Sequence, residues 1–365
     1  MGDDRAHYGT RSAGMEVSEM RLSFARHAAF AAVVSLFTVG LALAQFDSPR
    51  PFQRASDEYL ALLMKGSYDE LERAANNARK SAATISDGQS VLAALYGGTS
   101  GCVMSGCENR LTDELWKVRG QKLAEWRKRY PDSVTAKVAL ARFPLQYGWF
   151  ARGGGLSRTV SDEGRALFRE RLRKAHADLD GLDAAAKRDP GWFEAMLFVA
   201  QHEGWPKERF DALYEEAARE HPLYLQIHFV GATYYSPQWH GSWPELRSFV
   251  ERAVGHTREQ LGETLYARLN WGPSTTQMFM EGQVDWPRMR SGFERMIRDY
   301  PDPWNTNNYA KFACQAQDWP MVSKLMVLID GKPLADAWFR DLQVYESCRA
   351  QAQQAGSPIL RKFRQ

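Results

Sequence analysis

The sequence lacks an excess of charge of either sign. It contains 47 lysines and arginines against 44 aspartates and glutamates, which gives a formal net charge of +3 at pH 7. A protein dedicated to nucleic acid needs a concentrated basic surface for its phosphate contacts. The near balance therefore argues against nucleic acid as a partner, whereas 44% hydrophobic and 25% charged residues are typical of a globular chain.

Catalytic and metal-binding motifs are also missing. The chain has no G-x-S-x-G or S-x-x-K motif and no phosphate loop ending in Gly-Lys-Ser/Thr. His202-Glu203 begins a segment that lacks the second histidine of H-E-x-x-H. A zinc site would need three or four of the histidines between 202 and 256 to converge. We therefore predict no cofactor and no metal, and assign these histidines to packing and helix caps.

Only one long apolar run is present, at residues 28–44. Arg21 and Arg26 precede it, and Ala42-Leu43-Ala44 ends it. A basic region, an apolar run and small residues at the exit predict a secretory signal peptide, cleaved before Gln45. The run is near the lower limit for crossing a bilayer, so a membrane anchor is the alternative. No cysteine follows the cleavage site, so a lipoprotein anchor is unsupported.

The predicted organisation follows from this segment. We expect residues 1–44 to be removed, with the part before Met20 dispensable, and the mature protein to be periplasmic or secreted without a stable membrane span. An N-terminal helical region with a cysteine-containing loop is expected at 45–110. Helical repeats should occupy 111–353, followed by a tail at 354–365.

Cysteine is scarce, with four residues in the whole chain. An even number in an exported protein favours disulfides over metal ligation. Three pairings are formally possible, and we favour the local one, Cys102 with Cys107 and Cys314 with Cys348. The glycines at 97–101 are expected to form a flexible loop that lets the first pair meet. The second pair would join the last two predicted helices.

A Trp-Pro dipeptide occurs four times, at 205–206, 243–244, 286–287 and 319–320. Twelve tryptophans and sixteen prolines in 365 residues would give only about half of one such pair by chance, so the pairs indicate an internal repeat. After the last three pairs, apolar residues fall at offsets of 3, 7 and 10 from the tryptophan, which is one face of a helix. Proline is tolerated in the first helical turn, so each pair predicts a helix start.

A second pattern predicts helix ends. A basic residue stands three positions before Pro131, Pro190, Pro222 and Pro301, and a cation in the last turn followed by proline suits a helix C-terminus. One full cycle is predicted, with helices at 191–203 and 206–220. The longest predicted helix covers 161–187. No strand-like alternation persists anywhere after Ala55.

This helix–turn–helix cycle resembles the tetratricopeptide repeat (TPR) in degenerate form, over about residues 110–330. The hairpin 56–80, with Gly66-Ser67-Tyr68-Asp69-Glu70-Leu71 at its turn, resembles an exported bacterial family catalogued as a domain of unknown function. The segments 149–154 and 239–242 resemble it too. The resemblance implies an all-α, TPR-like solenoid of stacked antiparallel helical hairpins and implies no activity.

Two segments are candidate ligand sites. In the first, three consecutive glycines from Gly153 leave backbone N–H groups open to an anion, with arginines at both ends; its candidate residues are Arg152, Gly153, Gly154 and Arg158. The alternative is a plain chain reversal before a helix capped by Ser161 or Thr159.

The second candidate is the aromatic insertion 234–244. Its candidate residues are Tyr235, Trp239 and His240, with Trp271 expected nearby. Exposed rings stack on sugars or hold peptides, whereas buried rings would seal the gap between repeats, and the sequence leaves both interpretations open.

Asn307 and Asn308 are further candidates, either on a concave binding surface or on an exposed helix. The pattern of repeats without a catalytic constellation predicts a binding or scaffold protein that presents a groove to a peptide, a protein or a cell-envelope component such as a polysaccharide. The alternative is a hydrolase that acts on an envelope polymer through a cleft between the glycine-rich loop and the aromatic insertion.

Overall fold

The computed structural model describes residues 50–101, 112–153, 159–271, 279 and 282–356. All regular secondary structure in those residues is helical, apart from one isolated bridge between Thr84 and Ser90. This confirms the all-α class. The described residues all belong to one compact unit. Among the helices described, none has the length and apolar character that a bilayer crossing requires.

The helices are numbered in chain order. In the first part of the unit they are α1 (Pro51–Lys65), α2 (Tyr68–Ser81), α3 (Val91–Ser100), α4 (Asp113–Arg129), α5 (Val134–Arg152), α6 (Asp162–Asp180), α7 (Ala184–Lys187) and α8 (Pro190–Glu203). In the second part they are α9 (Lys207–Glu220), α10 (Leu225–Tyr234), α11 (Trp243–Leu261), α12 (Thr264–Leu269), α13 (Trp286–Asp299), α14 (Pro303–Gln315), α15 (Trp319–Ile329), a 3₁₀ helix (Ala335–Trp338) and α16 (Leu342–Gly356).

The Trp-Pro pairs mark helix starts, as the sequence predicts. Trp243, Trp286 and Trp319 are the first residues of α11, α13 and α15, each with proline in the first turn. At the first pair the helix begins just after Pro206, which takes the N-cap position. The predicted apolar faces point into the protein. The residue three positions after the tryptophan is buried in each of the last three Trp-Pro pairs. The apolar positions predicted from the Trp-Pro repeat therefore belong to the hydrophobic core.

The helix ends before proline are also confirmed. α4, α9 and α13 end at Arg129, Glu220 and Asp299, each two residues before a proline. In each case the residue after the helix donates its backbone N–H to a carbonyl of the last turn. The cycle predicted at 191–220 corresponds to α8 and α9, joined by a turn at Gly204 in left-handed geometry.

Two local predictions are wrong. The expected helix 161–187 is interrupted, because α6 ends at Asp180 and Asp183 starts α7 by accepting a hydrogen bond from the Ala186 backbone N–H at 3.0 Å. The glycines at 97–101 do not form a loop, since residues 97–100 complete the buried helix α3. These glycines have no side chain and so let neighbouring helices approach closely. Amino-acid composition alone does not distinguish this role from chain flexibility.

Helices pack mainly on their near neighbours in the chain. Successive helices are in contact from α8 to α13, and α13 packs on α14, α14 on α15 and α15 on α16. A second series links helices two or more positions apart, with contacts from α3 to α5, α5 to α8, α8 to α10 and α10 to α12. Each helix of this second series is buried over more than half of its length, so the series lies in the interior of the unit.

The loop at residues 82–90, between α2 and α3, contacts helices much later in the chain. The backbone carbonyl of Asp87 accepts hydrogen bonds from Arg268 on α12 and from Asn305 on α14, the latter at 3.2 Å. Gln226 on α10 donates to Gln89 at 3.2 Å. These bonds join positions separated by 137 to 218 residues. The loop therefore fastens the N-terminal helices to the C-terminal half.

A disulfide joins Cys314 on α14 to Cys348 on α16, as predicted. Cys102 and Cys107, the signal segment 1–44 and the residues after 356 lie outside the described residues. The first residues of the predicted tail at 354–365 belong to α16.

Lys311 on α14 is a buried amine, with 5% of the residue exposed. Its Nζ donates to Asn308 Oδ1 at 2.9 Å and lies over the rings of Phe312 and Phe339. Burial, with a smaller contribution from the positive charge of Arg50, lowers its pKa from 10.5 to about 7. Folding therefore favours the neutral amine.

This lowered pKa predicts a pH-dependent stability. Between pH 7 and 10.5 the unfolded chain binds a proton that Lys311 in the folded chain has lost. The free energy of unfolding should therefore rise with pH in this window, by up to about 1.4 kcal/mol per pH unit from this group. Lys311→Met should remove that contribution, measured as the difference between variant and wild type in urea unfolding at pH 7.5 and 9.5. Lys324→Met, on the exposed face of α15, is the control and should leave the pH dependence intact. Equal pH dependence in wild type and Lys311→Met would refute the assignment.

Candidate ligand-binding surface

The aromatic insertion forms a tight loop between α10 and α11. The backbone N–H of His240 donates to the Tyr234 carbonyl at 3.0 Å, which turns the chain back on itself. At Gly241 a Cβ would lie 2.1 Å from the Tyr235 carbonyl oxygen, so only glycine fits this position. The turn fixes which rings point inward and which point outward.

The first half of the insertion is buried. The ring of Tyr234 stacks on Phe210 of α9 at a centroid distance of 3.7 Å. Tyr235 donates its hydroxyl to Asp211 at 2.8 Å, and Asp211 also pairs with Arg252 at 2.9 Å. Burial and this hydrogen bond raise the pKa of Tyr235, so it stays neutral. Tyr235 anchors the loop and does not face outward.

The second half of the insertion is exposed. Trp239 keeps 38% of its surface exposed, and its ring meets the ring of His202 edge-on at 4.8 Å. His240 is exposed, and its Nε2 donates to the backbone carbonyl of Gln201 at 2.6 Å. The loop thus lies against the C-terminal end of α8 and places Trp239 over His202.

Helices α5 and α6 complete an aromatic surface around His202. Trp149 and Phe168 each meet the His202 ring edge-on at 5.5 Å, and both are half-buried. Arg152, the last residue of α5, stacks its guanidinium over Trp149 at 4.5 Å from the ring centre. We call Trp149, Phe168, His202 and Trp239 the aromatic wall.

The wall brings together both candidate segments. Arg152 from the glycine-rich segment, and Trp239 and His240 from the aromatic insertion, all lie around His202. Gly153 follows α5 with a positive φ of 76°, and its Cβ position has no neighbour within 4 Å. Ser161 caps α6 through the backbone N–H of Gly164 at 3.1 Å, as predicted. Gly154 and Arg158 lie outside the described residues.

His202 is held neutral at this position. Its Nδ1 bonds to the Phe198 carbonyl at 2.8 Å. Burial lowers the pKa of His202 to about 4, and the positive charge of Arg152 adds to the lowering. The sequence missed His202 as a site residue, since its only signal was a position one residue before a helix end.

The remaining candidates lie elsewhere. Trp271 packs against the rings of Phe293, Trp304 and Phe312 on α13 and α14. Asn307 is buried, and its Oδ1 accepts hydrogen bonds from Trp338 Nε1 at 2.9 Å and from the Leu334 backbone N–H at 3.1 Å.

Asn308 is fully buried too, and its Oδ1 accepts a hydrogen bond from Lys311. The two asparagines therefore belong neither to an open binding surface nor to an exposed helix face. Both amide groups are used within the protein, where they hold the C-terminal segment and the buried lysine in place.

The histidines bond to separate partners. His221 donates to the Arg188 carbonyl at 2.8 Å, and His256 pairs with Glu215 at 2.9 Å. His228 is fully buried, bonded to Tyr214 and to the Pro222 carbonyl, and burial lowers its pKa to about 4. Within the described ranges, no three His, Cys, Asp or Glu side chains come together as metal ligands would.

Two buried ionic groups escaped the sequence analysis. Asp189 accepts hydrogen bonds from Arg79 at 2.5 Å and from Tyr96 at 2.8 Å. In the second group Glu194 pairs with Arg142 at 3.0 Å and accepts from Tyr224 at 2.8 Å. For the second group the signal was a charged residue inside an apolar stretch, Arg142 in α5 and Glu194 in α8. Each carboxylate faces an arginine and a tyrosine, which is the pairing that buried charge requires.

Comparison of the chain with protein-family models, curated proteins and solved structures finds no match. The resemblance to TPR proteins and to the exported bacterial family therefore stays a prediction from the quoted residues.

Proposed function

We propose that this protein is an exported binding protein that holds a cell-envelope ligand on the aromatic wall. The observation that carries the proposal is the meeting of Arg152, Trp239 and the neutral His202 at one partly exposed surface. Aromatic surface with a few convergent polar groups is the usual composition of ligand sites. Clustered exposed tryptophan is also enriched at binding contacts.

The proposed scaffold is a TPR-like solenoid of helical hairpins. Two contact patterns support it, namely contacts between successive helices and contacts in the series α3, α5, α8, α10 and α12. Stacked hairpins produce both patterns, because each hairpin buries its apolar face against the next one. The Trp-Pro pairs at helix starts supply the matching sequence repeat.

The groove expected from such a solenoid is a less suitable site than the aromatic wall. Helices α10, α12 and α14 would line the groove, and they contact the loop 82–90 through Gln226, Arg268 and Asn305. Asp87 at the loop tip is buried, with 1% of its surface exposed. A ligand there would have to displace the loop, whereas the aromatic wall is already accessible at Trp239.

Export is supported by the apolar run at 28–44 and by the disulfide. Disulfides persist in oxidising compartments such as the periplasm and are rare in the cytosol. The bond between Cys314 and Cys348 therefore agrees with a periplasmic or secreted location. The proposed partner is accordingly a component of that compartment, either a protein or peptide or an envelope polysaccharide.

The hydrolase alternative needs an acid–base pair at the wall, and no observation favours one. Glu203 follows His202 directly, but its carboxylate bonds to His176 at 2.9 Å and to Trp205 Nε1 at 3.0 Å. Asp189 and Glu194 are buried and paired with arginines. General acid–base catalysis requires a group within hydrogen-bond reach of the substrate.

Trp239→Ala tests the proposed function. The variant should lose at least 90% of the envelope material that immobilised wild-type protein retains, because the exposed ring is the largest contact area of the wall. The measurement compares retained polysaccharide and retained protein from solubilised envelope, each quantified separately. Circular dichroism checks that the fold is intact.

Trp319→Ala is the matched control, since Trp319 is a half-buried tryptophan on a different helix, α15. It should retain envelope material as the wild type does. Equal retention by the wild type and by Trp239→Ala would overturn the proposal.

A further inference from the structure

The tautomer of His202 follows from its hydrogen bond. The Phe198 carbonyl can only accept, so Nδ1 carries the proton in the 2.8 Å contact. In a neutral imidazole the other nitrogen, Nε2, then has a lone pair and acts as an acceptor. The lowered pKa keeps this state at neutral pH. The wall thus contains a hydrogen-bond acceptor with a fixed role.

This acceptor is buried and has no partner among the residues that the structure describes. Nε2 has almost no exposed surface and makes no hydrogen bond to any residue that the structure describes. Leaving a buried polar atom unpaired costs about 1–3 kcal/mol, which proteins normally avoid. At a binding surface, such an atom marks a place where a ligand supplies the missing partner.

The surroundings of Nε2 restrict the ligand. The rings of Trp149 and Phe168 stand on helices, whereas Trp239 stands on the loop and is the exposed member of the wall. A ligand that displaces the edge of Trp239 from His202 meets flat apolar surfaces and a single acceptor. It must therefore combine an apolar face with a hydrogen-bond donor.

We infer that the aromatic wall binds a carbohydrate ring, whose hydroxyl donates to His202 Nε2 while its C–H face stacks on Trp239. This rests on the proposed function and names its ligand class. A sugar ring carries apolar C–H faces and O–H donors within one compact unit. The guanidinium of Arg152, over Trp149, places positive charge at the edge of the wall and so favours sugars with a carboxylate group.

A peptide fits these features less well. Extended peptides gain affinity from main-chain hydrogen bonds to an exposed strand edge. The wall is built on α5, α6 and α8, whose backbone groups are bonded within the helices. A peptide would also bond to His202 Nε2 only where one of its donor groups happened to lie within reach. Binding of peptide instead of sugar is therefore an outcome of the test.

His202→Phe tests the hydrogen-bond acceptor of His202 separately from the aromatic contacts of its ring. Phenylalanine keeps the aromatic contacts and removes the buried lone pair, so the thermal midpoint should stay equal or rise. The probes are glucose, N-acetylglucosamine and glucuronic acid at up to 50 mM, with tryptophan fluorescence and titration calorimetry as readouts. We expect saturable millimolar binding to wild type, at least tenfold weaker in His202→Phe and absent in Trp239→Ala. Glucuronic acid should bind more tightly than glucose, and Arg152→Gln should reduce that preference.

His256→Phe is the matched control, because His256 pairs with Glu215 away from the wall; its sugar binding should equal that of wild type. Sugar affinity unchanged in His202→Phe would overturn the role of the acceptor. If none of the three sugars binds while envelope retention still depends on Trp239, the carbohydrate assignment fails and the proposed function stands. If retention does not depend on Trp239 either, both fail.

Discussion

Replacing Gly98 with alanine is expected to lower the free energy of unfolding by about 3 kcal/mol or more. Gly98 lies in α3, where a Cβ would stand 2.1 Å from the backbone carbonyl oxygen of Ser56 and 2.7 Å from the Cβ of Tyr59. Backbone cannot yield as a flexible side chain can, so α1 and α3 would have to separate. Equilibrium urea unfolding, followed by circular dichroism, measures the loss.

Gly255→Ala is the matched control. Gly255 is also inside a helix, α11, but is exposed and has no atom within 4 Å of its Cβ position. Alanine is the better helix former by about 1 kcal/mol, so this variant should be equally stable or more stable than wild type. The two substitutions make the same chemical change and should have opposite signs. A Gly98→Ala variant with wild-type stability would show that α1 and α3 are not in close contact.

The second large effect is expected at the disulfide. Changing both Cys314 and Cys348 to serine should lower the free energy of unfolding by about 4 kcal/mol, because the bond joins positions 34 residues apart in the unfolded chain. The protein would also lose the clamp that holds α16 on α14. Urea unfolding of the double variant against wild type measures the loss.

Hydrogen exchange shows where the loss of the disulfide acts. Exchange in the double variant should rise first in α16, where Tyr345 and Ala352 are buried against the rest of the unit. Exchange at the aromatic wall should change little, since α16 packs mainly on α14, α15 and the 3₁₀ helix, whereas the wall is built on α5, α6 and α8. Unchanged stability, or a rise in exchange spread over the whole chain, would contradict a local clamp.

The helices were predictable because their signals are local. Proline in the first turn, a cation in the last turn and an apolar face of period 3.6 all act within one helix. Hence the Trp-Pro pairs gave the starts of α9, α11, α13 and α15 closely, and the basic-to-proline endings gave the ends of α9 and α13. The prediction failed where one local pattern has two physical uses. Glycines at 97–98 suit both a loop and a tight helix contact, and the sequence does not contain the partner helix that decides between them.

The candidate site was predictable only in part. Exposed aromatics and a glycine-rich turn identified Arg152, Trp239 and His240 as polar or aromatic residues in connections between helices. Tyr235 came from the same signal, yet it is buried on Asp211. Asn307 and Asn308 matched a polar helix face and are buried as well. Burial depends on which helix packs opposite, which is a property of the whole chain.

The sequence alone determined the helical class and the helix starts at the Trp-Pro pairs, and it favoured the pairing of Cys314 with Cys348 over two others. Each depends on interactions between residues close in the chain or, for the cysteines, on neighbouring helices. Tertiary structure decided that Trp239 reaches His202 and that Asp87 reaches Arg268 and Asn305. It also buried His202 Nε2 without a partner among the described residues. Those contacts join distant segments, and they exist because many small packing energies fix the helices in one arrangement, which no short stretch of sequence specifies.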